Sequence, residues 1–198
     1  MKPILFNTEM VKAILDGRKT VTRRVLKEYV PDDAEFGYTF FTLKGSISAR
    51  GNFINGYGEK IYKLPHKVGD VLYVRETFAT TMCDIFYKAD DTDYDGNWRP
   101  SIHMPKEAAR IFLKVTAVRV EKLKEITEAD VVAEGTKDGD KYIEVMGGDI
   151  AYYHIACFEM LWNSTLKEKQ TGPLSPYRFC FNPWVWVIEF ERTERESK

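Results

Sequence analysis

Gly17-Arg18-Lys19-Thr20-Val21-Thr22-Arg23-Arg24 packs four cations and two hydroxyls into eight residues. Just upstream, Thr8 reads as a helix N-cap, and Met10, Val11, Ile14 and Leu15 follow at helical spacing. Gly17 then stands where a helix ends in a left-handed residue. Downstream, Val21 to Leu26 reads as a strand. Alternation puts Thr20, Thr22 and Arg24 on one face, with Val21, Arg23 and Val25 on the other. Lys2 to Phe6 is a short apolar strand ahead of the helix. The unit so defined is strand, short helix, charged strand.

Working outward, Lys67-Val68-Gly69-Asp70 is a turn that feeds a strand from Val71 to Phe78. Arg75 and Glu76 lie near its end. Adjacent strand residues point to opposite faces, so they do not pair with each other and at least one needs a partner elsewhere. Arg110 to Glu121 is the longest β-branched run and reads as a central strand, with Ile111, Leu113 and Val115 on one face. A short helix follows, capped by Thr127 with Asp130 completing an approximate capping box and Gly135 ending it. Glu134 falls at the C-terminal end of that helix, where the macrodipole disfavours an anion. A carboxylate in so unfavourable a place is a candidate functional group. Ile150 to Trp162 repeats at helical spacing, and His154 on that stripe reads as a core histidine. Trp184, Trp186, Ile188 and Phe190 line one face of a closing strand, for core packing. Between Trp98 and Pro105 two prolines make a rigid, extended loop. Residues 27–66 read as an insertion carrying a hairpin, with strands over 36–43 and 46–54 and turns at Gly45, Gly51, Gly56 and Gly58. The chain divides into one domain over 1–192 and a charged tail over 193–198.

The chain has 198 residues and a net charge of −1, which excludes a protein that grips nucleic acid through overall basicity. A nucleic-acid role must rest on a local patch or a pocket, and the opening stretch is such a patch. Cys83, Cys157 and Cys180 are odd in number and widely spaced, so reduced thiols are expected rather than a disulfide framework. His66, His103 and His154 form no metal-ligand spacing with them. Asp91, Asp93 and Asp95 alternate as in a calcium loop, but Gly96 follows at once and no glutamate closes the pattern, so a solvated loop is expected. Neither a metal nor a cofactor is expected. With no signal peptide and no apolar run of about 20 residues, the chain reads as soluble and cytoplasmic.

Four segments together resemble the ASCH family, a PUA-like group, and within it the phage- and prophage-type proteins. They are Lys2 to Phe6 with Ile14 to Arg24; Gly69-Asp70 through Thr77; Trp98 through Pro105; and Asn182-Pro183-Trp184-Val185-Trp186-Val187. The resemblance implies an α+β fold, a PUA-like mixed β-barrel with short flanking helices and the inserted hairpin region. It also implies a cleft beside the helix end that carries Lys19. Small enzymes of the family hydrolyse N4-acetylcytidine with a lysine, a threonine three residues on, and a glutamate in the short helix after the long strand. Matched to this chain, these are Lys19, Thr22 and Glu134. Arg18, Thr20, Arg24, Arg75, Glu76, Trp98 and Ser101 are the candidate ligand-binding residues around them.

Three functions follow from the resemblance. The first is binding of RNA or of a modified nucleoside or nucleotide in the basic cleft. The alternative is an amidohydrolase that deacylates N4-acetylcytidine-like nucleosides, with Thr22 attacking or positioning water, Lys19 taking the proton and Glu134 serving Lys19 or the leaving nitrogen. The second alternative is a ribonuclease, in which Lys19 and Arg24 meet the phosphoryl charge. Without the resemblance, the same cluster reads as a solvated basic edge.

Overall fold

Strand β10 (Trp184–Thr193) is where the two halves of the core meet. Trp186, Ile188 and Phe190 belong to one apolar cluster, and Val185 and Val187 belong to another. A strand turns successive side chains to opposite faces, so this alternation means that the sheet is covered on both sides. The computed structural model describes residues 1–37, 45–90, 93–136, 150–166 and 175–195.

The fold is α+β and mostly strands. Five of them form one sheet, in the order β1 (Lys2–Leu5), β6 (Val71–Arg75), β9 (Phe112–Lys122), β10 and β2 (Val21–Val25). β1 runs parallel to β6, and the other pairings are antiparallel. The sheet is open, and no ladder among the described residues closes a barrel. A bulge shifts the β9–β10 register between Glu189 and Phe190, beside the point where the Phe190 amide donates to the Thr20 carbonyl at 2.9 Å.

One face of this sheet packs against helix α1 (Thr8–Leu15) and a second sheet, a meander of β3 (Glu35–Gly37), β4 (Ser46–Phe53) and β5 (Gly56–Lys63). Ile47 and Tyr62 from that meander are fully buried in the same cluster as Leu72, Leu113 and Ile188. The region read as an insertion thus shares the core of the main sheet. Part of its first expected strand lies in 38–44, outside the described residues. Gly58, read as a turn, lies inside β5 opposite Gly51, and the hairpin turns at Gly56, whose φ of 111° only glycine adopts readily.

The other face is covered by α2 (Glu128–Ala133) and α3 (Ile150–Thr165), through Val131, Phe158 and Trp162 on Val21, Val185 and Val187. The capping box at Thr127 and Asp130 forms as the sequence reads. The cap of α1 differs by one position: Asn7, not Thr8, accepts the Met10 amide, at 2.9 Å. Asn7 is an equally good cap, and Thr8 becomes the first helical residue. A hairpin of β7 (Phe78–Thr80) and β8 (Ile85–Tyr87) completes the strands, and the Trp98–Pro105 loop contains a single 3₁₀ turn at Ser101–His103.

Asp70 fastens the turn before β6. Its Oδ2 accepts from Lys2 Nζ at 2.8 Å and from the Lys67 amide at 2.9 Å. Burial alone would raise its pKa, but these bonds and the Lys2 charge outweigh burial and hold it below the ordinary 3.8. A carboxylate depressed in the folded state stabilises the fold above its unfolded pKa, and that contribution disappears as pH falls through the folded value. Some stability is therefore expected to be lost below about pH 4, and an Asp70→Asn variant should lose less over that range. Equal losses in variant and wild type, followed by circular dichroism, would contradict this role.

Candidate functional site

Gly17 takes φ 76° at the end of α1, and the Arg18 and Lys19 amides both donate back to the Ala13 carbonyl, at 2.9 and 3.0 Å. This turns the chain sharply enough to lay Lys19 beside the end of α2. Lys19 and Glu134 form an isolated antiparallel bridge, and the Thr20 amide donates to the Ala133 carbonyl at 2.9 Å. Gly135, at φ 80°, ends α2 against this segment. A Cβ there would stand 2.7 Å from the Ala13 Cβ and 2.8 Å from the Lys19 Cβ, so glycine is required by closeness as well as by conformation.

The result is a buried ion pair. Lys19 Nζ lies 2.6 Å from Glu134 Oε2, with side chains 0% and 4% exposed. Lys19 also donates to the Val21 carbonyl at 2.7 Å and the Glu134 carbonyl at 2.9 Å, so its three protons have three acceptors. Burial pulls the lysine pKa below its ordinary 10.5. The charge and hydrogen bond of Glu134 oppose that shift, while Arg24 and Arg23 add to it.

Arg23, which the sequence did not single out, completes the arrangement. Its side chain is 1% exposed. It reaches Glu134 Oε1 at 3.3 Å, Glu121 Oε2 at 3.3 Å and Asp130 Oδ2 at 3.4 Å. Both oxygens of Glu134 thus face cations. The alternation of β2 correctly separates Arg23 from Thr22 and Arg24. It does not disclose that three carboxylates from β9 and α2 await Arg23, because they are about a hundred residues away in sequence.

In front of this pair is a cavity of about 440 Å³. Thr22, Arg23, Arg24 and Glu134 line it together with Ser101 and Thr77. Phe6 from the β1–α1 connection and Phe158, Leu161 and Trp162 from α3 supply apolar and aromatic walls. Thr22 is buried, and its hydroxyl has no hydrogen-bond partner among the described residues. Arg24 donates from Nη2 to the Leu5 carbonyl at 2.7 Å and lies 5.4 Å from the Phe6 ring centroid. A smaller cavity of about 290 Å³ adjoins the first, with Met10, Glu134 and Leu161 common to both.

Lys19 itself does not line the cavity; it stands behind Glu134. Arg18 and Thr20 lie outside too. Arg18 donates to the Gly135 carbonyl at 3.0 Å and pairs with Asp16 at 2.9 Å, while Thr20 is exposed. Arg75 and Glu76 act one step back. Arg75 donates to the Met104 carbonyl at 2.8 Å and to the Ile102 carbonyl, which fixes the loop that presents Ser101. Glu76, 1% exposed, takes Arg110 at 2.9 and 3.0 Å, and Arg110 also meets Asp90 at 2.7 Å. Trp98 packs edge-on against Tyr94, away from the cavity wall. α3 does more than its apolar stripe implies. Its stripe is core, as Phe158 and Trp162 show, but both also line the cavity, and Leu161, Ser164 and Thr165 add to the wall. His154 on the same helix sits 3.0 Å from Glu128 of α2.

No group of histidine, cysteine and carboxylate side chains suited to a metal ion occurs among the described residues. No helix among them is long and apolar enough to cross a membrane. Compared with protein-family models, curated proteins and solved structures, the chain matches none.

Proposed function

We propose that this chain is an ASCH, PUA-like protein of the phage or prophage type, and that its cleft binds the nucleobase of RNA or of a modified nucleoside or nucleotide in the cytoplasm. The observation that carries this reading is the single cavity wall shared by Thr22, Arg24, Ser101 and Glu134 with Phe6 and Trp162. Aromatic and apolar walls suit a base, and a few convergent donors and acceptors suit its polar edge. Calorimetric titration with N4-acetylcytidine and cytidine tests it. Saturable binding is expected for at least one, weakened about tenfold or more by Trp162→Ala, since stacking on an aromatic is worth about 1–3 kcal/mol per base. Absence of binding by both would remove the reading.

A second reading, hydrolysis of an N4-acylated cytidine, is favoured by the unpartnered Thr22 hydroxyl facing the same space as Glu134. In it, a water held by Thr22 adds to the acyl carbon and gives its proton to Glu134, the bond from that carbon to N4 breaks as the proton passes on to N4, and the acyl group leaves as its carboxylate; where Thr22 itself adds, its proton takes the same route and a water then hydrolyses the acyl-threonine. Because Glu134 lines the cavity and Lys19 stands behind it, Glu134 is the group within reach of the leaving nitrogen, and Lys19 acts through Glu134. The same placement gives no support to a ribonuclease that uses Lys19 on a phosphoryl group.

A further inference from the structure

The side of the cavity at the start of α1 carries a different set of groups. α1 begins there, and Asn7 and Thr8 line the wall. Asn7 Oδ1 uses the Met10 amide, and the Thr8 amide has no hydrogen-bond partner among the described residues. A helix start of this kind carries partial positive charge and free N–H donors. Glu9, the acid in the same turn, lines the adjoining cavity instead.

Two arginines of β2 enter the same wall. Arg24 has one guanidinium nitrogen on the Leu5 carbonyl at 2.7 Å, which holds the group over Phe6 beside the helix start. Arg23 lines the cavity with a side chain 1% exposed, and its Nε is buried without a hydrogen-bond partner. A buried, unpaired N–H of a charged group is costly and calls for an acceptor. Against these two cations the wall sets one carboxylate, Glu134, which Lys19 and Arg23 already occupy. Glu121 and Asp130 also answer Arg23, so the groups left for a further anion are Arg24, which pairs with no carboxylate among the described residues, the Arg23 Nε and the helix start.

We propose that the start of α1, with Arg24 and Arg23, is a phosphate subsite, so that the cleft takes a phosphorylated nucleoside more tightly than the free nucleoside. This rests on the reading of the cleft as a nucleobase site and specifies its ligand. A phosphomonoester of a free nucleotide and a phosphodiester of an RNA strand present the same anionic oxygens, and the helix start and guanidinium groups suit both.

The test is a calorimetric panel of cytidine, its 5′- and 3′-monophosphates, a cytidine dinucleotide and inorganic phosphate on the intact protein. At least one phosphate-bearing ligand is expected to bind about tenfold more tightly than cytidine, the scale of a charge-assisted hydrogen bond. That advantage should shrink as salt is raised and should vanish in Arg24→Gln, with inorganic phosphate competing. A monophosphate tighter than the dinucleotide assigns a free nucleotide; the reverse assigns an RNA backbone. Cytidine binding as tightly as every phosphate-bearing ligand would overturn the subsite and leave the base cleft standing. Binding by none of them would remove both.

Discussion

Glu134→Ala is expected to lower the free energy of unfolding by about 3–5 kcal/mol, the usual result of removing one member of a buried pair. The reason is what remains. Lys19 keeps two backbone carbonyls but loses its one carboxylate partner among the described residues, 2.6 Å away, where its own side chain has no exposure. Arg23 loses one partner but retains Glu121 and Asp130. Replacing the pair together, as Lys19→Met with Glu134→Leu, removes the stranded charge and is expected to recover most of that loss, because a buried pair and an apolar pair of similar volume are often close in stability. The double variant should nonetheless fail to recognise the ligand, since the cavity loses its carboxylate. Chemical denaturation of the two single variants and the double variant checks this directly. A cost below about 1 kcal/mol for Glu134→Ala would place the pair in the class of solvated surface bridges and contradict its burial.

The second large effect concerns hydrolysis. Intact protein incubated with N4-acetylcytidine is expected to release cytidine and acetate, and Thr22→Val to slow release by at least about 10²-fold, the lower end for losing a positioned catalytic group. Valine keeps the shape and β propensity of threonine and deletes only the hydroxyl, so β2 should still pair with β10 at Ile188. Glu134→Gln should slow release on a similar scale and alter its pH dependence, because glutamine neither pairs ionically with Lys19 nor transfers a proton. Turnover unaffected by Thr22→Val would take the hydroxyl out of the chemistry. No turnover by the intact protein would leave the binding cleft as the whole function.

Much of this geometry was legible locally. Gly17 and Gly135 each announced a left-handed helix end, and Thr127 with Asp130 announced a capping box, because those signals depend on a few neighbouring residues. The unfavourable position of Glu134 also pointed to a partner outside its own helix. What sequence spacing did not reveal is long-range. β5 and its pairing with β4 through Gly51 and Gly58 looked like turns, since glycine is a poor strand former read alone. Arg23 looked like half of an alternating charged strand, and its three acidic partners come from β9 and α2. Arg75 and Glu76 read as ligand-binding residues of which at least one needs a partner elsewhere; both have such partners, Arg75 in the loop that presents Ser101 and Glu76 in Arg110, and neither lines the cavity. The aromatic stripe of α3 serves core and cavity at once, which periodicity cannot divide.

The most direct test of the central claim is to map where the ligand sits. In a ¹H–¹⁵N NMR titration with N4-acetylcytidine or a cytidine monophosphate, saturable shifts are expected at Thr8, Thr22, Arg24, Ser101, Glu134 and the Trp162 indole. Little change is expected at the separate cavity of about 340 Å³ around Tyr29, Tyr177 and Trp184. Shifts confined to that second location, or none at saturating ligand, would contradict that claim.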